Sequence, residues 1–148
     1  MTALDEAGGV DLIREWVAAE RPLFGICVGH QVLFKGGNEH GMRTDGVGLY
    51  PGQVERLNIE RLPHMGWNTV EAPESSVLFD GLSGRRFYFV HSYAARPWEG
   101  DALQATCSEN NDTFVAAVES GAVVSTQFHP EKSGASGARL LRNWIEKI

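Results

Sequence analysis

Apolar residues recur in short clusters separated by Gly, Pro, Asn and Asp, and the spacing changes along the chain. From Gly9 to Glu20, Leu12, Ile13, Trp16 and Val17 fall at i, i+1, i+4 and i+5, which predicts a helix with one apolar face. Pro22 closes that region, because the residue before proline is pushed out of the α conformation. Leu23 to Cys27 is a short apolar run suited to a strand buried on both faces, and a second helix is expected from Val28 to Gly36-Gly37. Beyond Asn38, glycines punctuate the chain and the texture becomes strand-like. "QVERL", "WNTVEA", "RFYFVHSYAA", "ALQATCS", "FVAAVE" and "AVVSTQFH" each read as strands. Ala138 to Ile148 returns to helical spacing, with Leu140, Leu141, Trp144 and Ile145 on one face. These elements predict one α/β domain over residues 1–148, with a β-rich segment inserted in its middle. No internal repeat, low-complexity tract or linker divides it.

Composition narrows the class of protein. The 148 residues are 43% hydrophobic, enough for one core and too few for two. The net charge is −6, and no Lys/Arg-rich run argues for nucleic acid as a partner. No apolar run approaches the roughly 18 residues of a membrane span, and no basic segment precedes an apolar one, so a cytoplasmic location is expected. Cys27 and Cys107 are too few for a disulfide framework and are expected to be reduced. The five histidines, His30, His40, His64, His91 and His129, form no zinc spacing. His129-x-Glu131 has the form of a deaminase HxE, but its P-C-x-x-C partner is missing, so no metal site is expected.

The chemistry gathers at "PLFGICVGHQ", Pro22 to Gln31. Gly25-Ile26-Cys27-Val28-Gly29 has the form of a nucleophile elbow with sulfur in place of oxygen, where a sharp strand-to-helix turn requires small neighbours. The following helix would turn its positive end toward the sulfur and favour thiolate, and the Val28 N–H would face a developing oxyanion. Gln31, one turn on, would turn its amide to the same pocket. On this motif alone, Cys27 reads equally well as a small buried residue. A second segment, "STQFHPEK", tips the balance. Pro130 forces His129 into an extended conformation, and if Pro130 stays extended, His129 and Glu131 project to one side as a base and the carboxylate that orients it. A solvated surface His and Glu is the plainer alternative, but a cysteine elbow and a strand-terminal His-Pro-Glu in one chain favour a triad.

These residues resemble the class I (triad) glutamine amidotransferases. The family's G-x-C-x-G-x-Q elbow is matched by Gly25, Cys27, Gly29 and Gln31, and its F-H-P-E segment by Phe128 to Glu131. The resemblance implies a doubly wound, mostly parallel sheet with flanking helices. It implies that Cys27 attacks the side-chain amide of glutamine, that His129 protonates the leaving ammonia and that Glu131 orients His129. Water then hydrolyses the glutamyl thioester, with no cofactor, while Gln31, Val28 and the backbone of His91, Ser92 and Tyr93 lie beside the substrate. "LPHMGWNTV", "FYFVHSY", "GVGLYPGQVERL" and "FHPEKSGASGARLLRNW" are similar to one branch, the glutaminase subunits of imidazole glycerol phosphate synthase. That branch implies a heterodimer with a cyclase subunit, contacted through Pro63, His64, Met65, Gly66, Trp67 and Asn68. Its ammonia serves histidine biosynthesis, in which the cyclase forms imidazole glycerol phosphate and releases an aminoimidazole carboxamide ribonucleotide. Phe87 and Phe89 read as core residues of a strand.

Two departures from the branch carry expectations. Position 30 is His where these subunits usually have Met, although sister amidotransferases carry G-H-Q, so His30 reads as a tolerated variant. Family members also have a further N-terminal stretch of alternating β and α elements, with a P-G-V-G loop that adds oxyanion donors. The expectation is therefore a domain lacking its first strands and helices, in which the Cys27 strand has lost neighbours on at least one side. Losing one oxyanion donor costs roughly 10²–10³ in rate, so a chain of this form is expected to be unstable or nearly inactive. Two other readings remain open in the sequence: an amidotransferase subunit of another pathway, and a non-catalytic partner of the cyclase.

Overall fold

The computed structural model describes residues 1–148 and contains three small sheets with helices against them. The first sheet has the order β1-β10-β9-β8, built from Leu23–Ile26 (β1), Val123–Thr126 (β10), Asp112–Ser120 (β9) and Leu103–Glu109 (β8). The second runs β3-β2-β4-β7, from Met42–Asp45 (β3), Phe34–Glu39 (β2), Tyr50–Arg56 (β4) and Tyr93–Ala95 (β7). His64–Thr69 (β5) and Arg86–His91 (β6) pair in a third. The helices are Thr2–Glu6 (α1), Gly9–Ala18 (α2), Val28–Gln31 (α3) and Gly134–Lys147 (α4), with a 3-10 turn at Pro130–Lys132. The α/β class holds, but the sheets are mixed rather than mostly parallel. Parallel pairing is confined to β1–β10 and β2–β4, and the remaining pairs are antiparallel.

The central strand β9 separates two apolar clusters. Its unbroken run Phe114 to Val118 is buried throughout, as an apolar stretch without alternation requires. Phe114, Ala116 and Ala117 join Phe87, Phe89 and Phe128 in the larger cluster, while Val115 and Val118 join Leu33, Phe34, Val47 and Tyr50 in the smaller. Phe87 and Phe89 are core residues, as expected.

Several elements depart from the sequence reading. In α2 the four apolar positions split: Ile13 and Val17 pack on the smaller cluster, whereas Leu12 and Trp16 face solvent. Trp16 is held there by its indole N–H to the Pro22 carbonyl (3.0 Å) and by Arg21 stacked on its ring. The helix expected from Val28 to Gly36-Gly37 lasts only four residues. Two glycines weaken its second half, and Phe34–Glu39 pairs instead between β3 and β4. A Cβ on Gly36 would lie 2.8 Å from the Thr44 carbonyl oxygen, so that pairing requires glycine. The run Arg86 to Ala95 breaks at Ser92 into β6 and β7, which serve different sheets. Helix α4 begins at Gly134, ahead of the expected Ala138, and buries Gly137, Leu140 and Asn143, while Ile145 stays exposed. No helix is long and apolar enough to cross a membrane.

Candidate active site

Topology brings the two motifs together. β1 and β10 are parallel neighbours with Ile26 paired to Thr126, so both chains leave the sheet at the same end. The Cys27 N–H continues the ladder onto the Thr126 carbonyl at 2.8 Å. Cys27 then turns sharply, with φ 52° and ψ −105°, a region that side-chain-bearing residues rarely occupy. Gly25 permits this turn: a Cβ there would meet the Gly29 carbonyl oxygen at 2.7 Å. Gly29 differs, since a Cβ there would meet nothing within 4 Å.

The thiol is half-buried. Burial pushes its pKa up; the Val28 N–H and the Lys132 charge pull it down, and Glu131 pushes it further up. The expected preference for thiolate is therefore not met in the resting site. A four-residue α3 has few aligned peptides to offset desolvation. Sγ accepts one side-chain hydrogen bond, from Gln127 Nε2 at 3.8 Å.

His129 is extended (φ −100°, ψ 96°), as the following proline requires, and its N–H donates to the Tyr88 carbonyl at 2.9 Å. Pro130 is not extended but opens the 3-10 turn. The turn itself brings Glu131 back, so that Oε1 lies 2.6 Å from His129 Nδ1. A carboxylate only accepts, so Nδ1 carries the proton and Nε2 is left free to take one. Ser133 fixes the turn: its hydroxyl donates to the His129 carbonyl (2.6 Å) and accepts from the Tyr88 N–H (3.0 Å). The imidazole and Sγ are not hydrogen-bonded to each other in this structure.

The residues expected around glutamine divide into two groups. Val28, Gln31 and Tyr93 line a cavity of about 230 Å³ with Val32, Gly36 and Thr44. Cys27, His129, His91 and Ser92 do not line this cavity. Both N–H groups of Gln31 are engaged, with the Tyr93 carbonyl and with Gln127 Oε1, each at 2.9 Å. The Ser92 carbonyl is taken by the Leu57 N–H at 2.9 Å. His91 Nδ1 donates to the Tyr93 carbonyl (2.9 Å), and His91 Nε2 accepts from His64 Nδ1 (2.9 Å). Burial lowers the pKa of both rings, His91 to about 4.

The Pro63–Asn68 segment divides by strand alternation. Met65 and Trp67 are 61% and 52% exposed and lie on the outer face of β5, with Pro63 also exposed at its start. His64 turns inward to His91, and Asn68 donates to Glu109 Oε2 at 3.0 Å, so these two do not form the outer face. Gly66 lies between them at φ 130°. His30 points away from the thiol into the core, where its Nδ1 meets Ser125 Oγ at 2.8 Å. No cluster of three or more His, Cys, Asp or Glu side chains is arranged to hold a metal ion.

Sequence reasoning passed over Gln127. The signal was present, because two-residue alternation puts Gln127 on the side of Ser125 and His129, where a buried amide needs partners.

The sequence model of the family Glutamine amidotransferase class-I matches residues 5–148. The imidazole glycerol phosphate synthase subunit HisH of Corynebacterium diphtheriae is 53% identical, covering 100% of this chain and 74% of its own length. HisH of Mycolicibacterium paratuberculosis is 54% identical, over 100% of this chain and 73% of its own. HisH of Streptomyces avermitilis is 54% identical, over 98% and 71% respectively. Among solved structures, a glutamine amidotransferase superposes with TM-score 0.71 at 23% identity, covering 97% of this chain and 69% of its own. One from Thermotoga maritima gives 0.63 at 24% identity, over 95% and 52%. The structural likenesses establish the fold.

Proposed function

From the chain's membership of the class-I glutamine amidotransferase family, and within it of the HisH subunits, we infer that Cys27, His129 and Glu131 hydrolyse glutamine to glutamate and ammonia. The observation that carries this reading is the placement of a strained cysteine and a carboxylate-oriented histidine at the same end of two parallel neighbouring strands. Because burial keeps the resting thiol protonated, attack requires a base. His129 Nε2 takes the proton as Sγ bonds to the amide carbon of glutamine. The Val28 N–H receives the charge that develops on the oxygen. His129 returns the proton to the leaving nitrogen, ammonia departs, and a γ-glutamyl thioester remains. Water, deprotonated by the same imidazole, then releases glutamate and restores the thiol. Glu131 keeps the Nδ1–H in place throughout. The Sγ–imidazole contact must close for the first step, and hydrogen bonds of this kind often tighten only in the substrate complex.

The ammonia acceptor is a cyclase subunit, in histidine biosynthesis, and the two chains form a heterodimer. Exposed Met65 and Trp67, beside Pro63 on the outer face of β5, support that strand as the docking face. Aromatic and methionine side chains are enriched in such interfaces. The test uses the chain combined with a cyclase subunit. Cys27→Ala is expected to abolish glutamine-dependent product formation, a fall of at least about 10³-fold, while ammonia-dependent formation persists. Retained glutamine-dependent turnover in that variant would refute the assignment. Loss of both activities would point instead to a defect in assembly.

A further inference from the structure

Gln127 is wholly buried, yet no role in glutamine hydrolysis follows for it from the elbow or from the His-Pro-Glu segment. Its hydrogen bonds have one direction only. The Tyr93 carbonyl can only accept, so Gln31 turns its NH₂ group toward it and offers the second N–H to Gln127 Oε1. With its oxygen so engaged, Gln127 must aim its own NH₂ at Cys27 Sγ, 3.8 Å away. The same carbonyl accepts from His91 Nδ1–H, which leaves His91 Nε2 bare to accept from His64. A single backbone oxygen thus sets the polarity of a chain running from His64 on β5 to the sulfur.

We propose that Gln127 is a further catalytic residue, whose Nε2–H donates to Cys27 Sγ beside the Val28 N–H and stabilises the thiolate, and that Gln31 and His91 are positioning residues holding that amide in place. The thiol proton still passes to His129 Nε2, and Gln127 keeps both of its own. A fixed donor on the sulfur offsets the desolvation that disfavours its charge. The charged groups facing Sγ are Glu131 and Lys132 on the 3-10 turn, with His129 beside them, whereas His30 on α3 faces Ser125.

The proposal rests on Cys27 being the nucleophile, but its test needs no turnover. The rate of Cys27 alkylation by iodoacetamide is followed in the full chain from neutral to alkaline pH, by mass spectrometry of the Cys27 peptide. Gln127→Met removes the donor and is expected to move the midpoint up by about half a pH unit. Gln127→Glu places a negative charge there and moves it by about one unit or more, roughly tenfold slower alkylation at neutral pH. His91→Leu should shift the profile in the same direction and His91→Asn, which restores a donor to the Tyr93 carbonyl, should return it toward the original. If the Gln127 variants melt cooperatively and their profiles coincide with the unsubstituted chain, the proposal is wrong. Should they fail to fold, Gln31→Met decides by the same criterion, since it leaves Gln127 present but unoriented. Loss of the function itself would show separately, as glutamine turnover that survives Cys27→Ala.

Discussion

Cys27 stands in a backbone conformation that costs of the order of 1–3 kcal/mol for a residue with a side chain. Its neighbours hold it there: the ladder bond to Thr126 on one side, and the passage of Gly29 directly over Gly25 on the other. The two glycines of the elbow are therefore not equivalent. Gly25→Ala drives a Cβ into backbone atoms at 2.7 and 2.9 Å and is expected to lower unfolding free energy by about 1–3 kcal/mol, measured by urea denaturation. Gly29→Ala meets open space inside a helical turn and should be neutral or stabilising by up to about 1 kcal/mol. Equal losses at both positions would contradict the geometry. The motif was legible because its residues are sequence neighbours and their chemistry is local. The difference between its glycines was not, since it depends on where the chain goes after the turn. Gln127 and the His64–His91 pair were hidden for the same reason: their partners lie 100 and 27 residues away.

Among the elements, the 3-10 turn at Pro130–Lys132 has the closest tie to function, and it is α4 that holds it. Gly137, in the first turns of α4, packs so tightly on this turn that a Cβ would lie 1.8 Å from the Pro130 carbonyl oxygen. No side-chain rotation can relieve a clash with backbone, so Gly137→Ala must displace either the helix or the turn that carries Glu131. The expected result is a loss of about 1–3 kcal/mol together with a fall in glutamine turnover larger than the loss of folded protein explains. Turnover per folded molecule is the measurement, and an unchanged value would mean that the helix gives way and the turn does not. The amphipathic spacing of α4 was readable from Leu140 and Trp144. Its true buried face also includes Gly137 and Asn143, whose amide donates to the Leu78 and Asp80 carbonyls at 3.0 and 2.9 Å. Neither residue scores as apolar, so a hydrophobic pattern cannot find them. The short α3 was misread for a related reason: Gly36-Gly37 has the form of a helix stop, and only pairing with β3 and β4 makes Phe34–Glu39 a strand.

For the whole molecule, three buried histidines near the site make stability depend on acidity. His30 is held well below the ordinary histidine value, at about 3, and His91 at about 4, both chiefly by burial; His64 is lowered by the same cause. The fold therefore favours their neutral forms. Below about pH 6.5 the unfolded chain takes up protons that the folded chain refuses, so stability falls as pH drops from there toward the folded values, and is undiminished above it. Each such histidine steepens the fall by up to about 1.4 kcal/mol per pH unit within that window. His30 offers the cleanest test, because it is wholly buried and Ser125 Oγ is its side-chain hydrogen-bond partner. Replacing it with methionine keeps the volume near that of the ring, and Ser125 Oγ retains the Tyr50 hydroxyl at 3.5 Å. His30→Met should thus change stability at neutral pH by no more than about 1 kcal/mol. Between about pH 6 and 4 its stability should fall less steeply, by close to one proton's worth. Denaturant midpoints across that range decide the matter, and parallel curves for the two proteins would mean that His30 takes up its proton in the folded chain as readily as in the unfolded one.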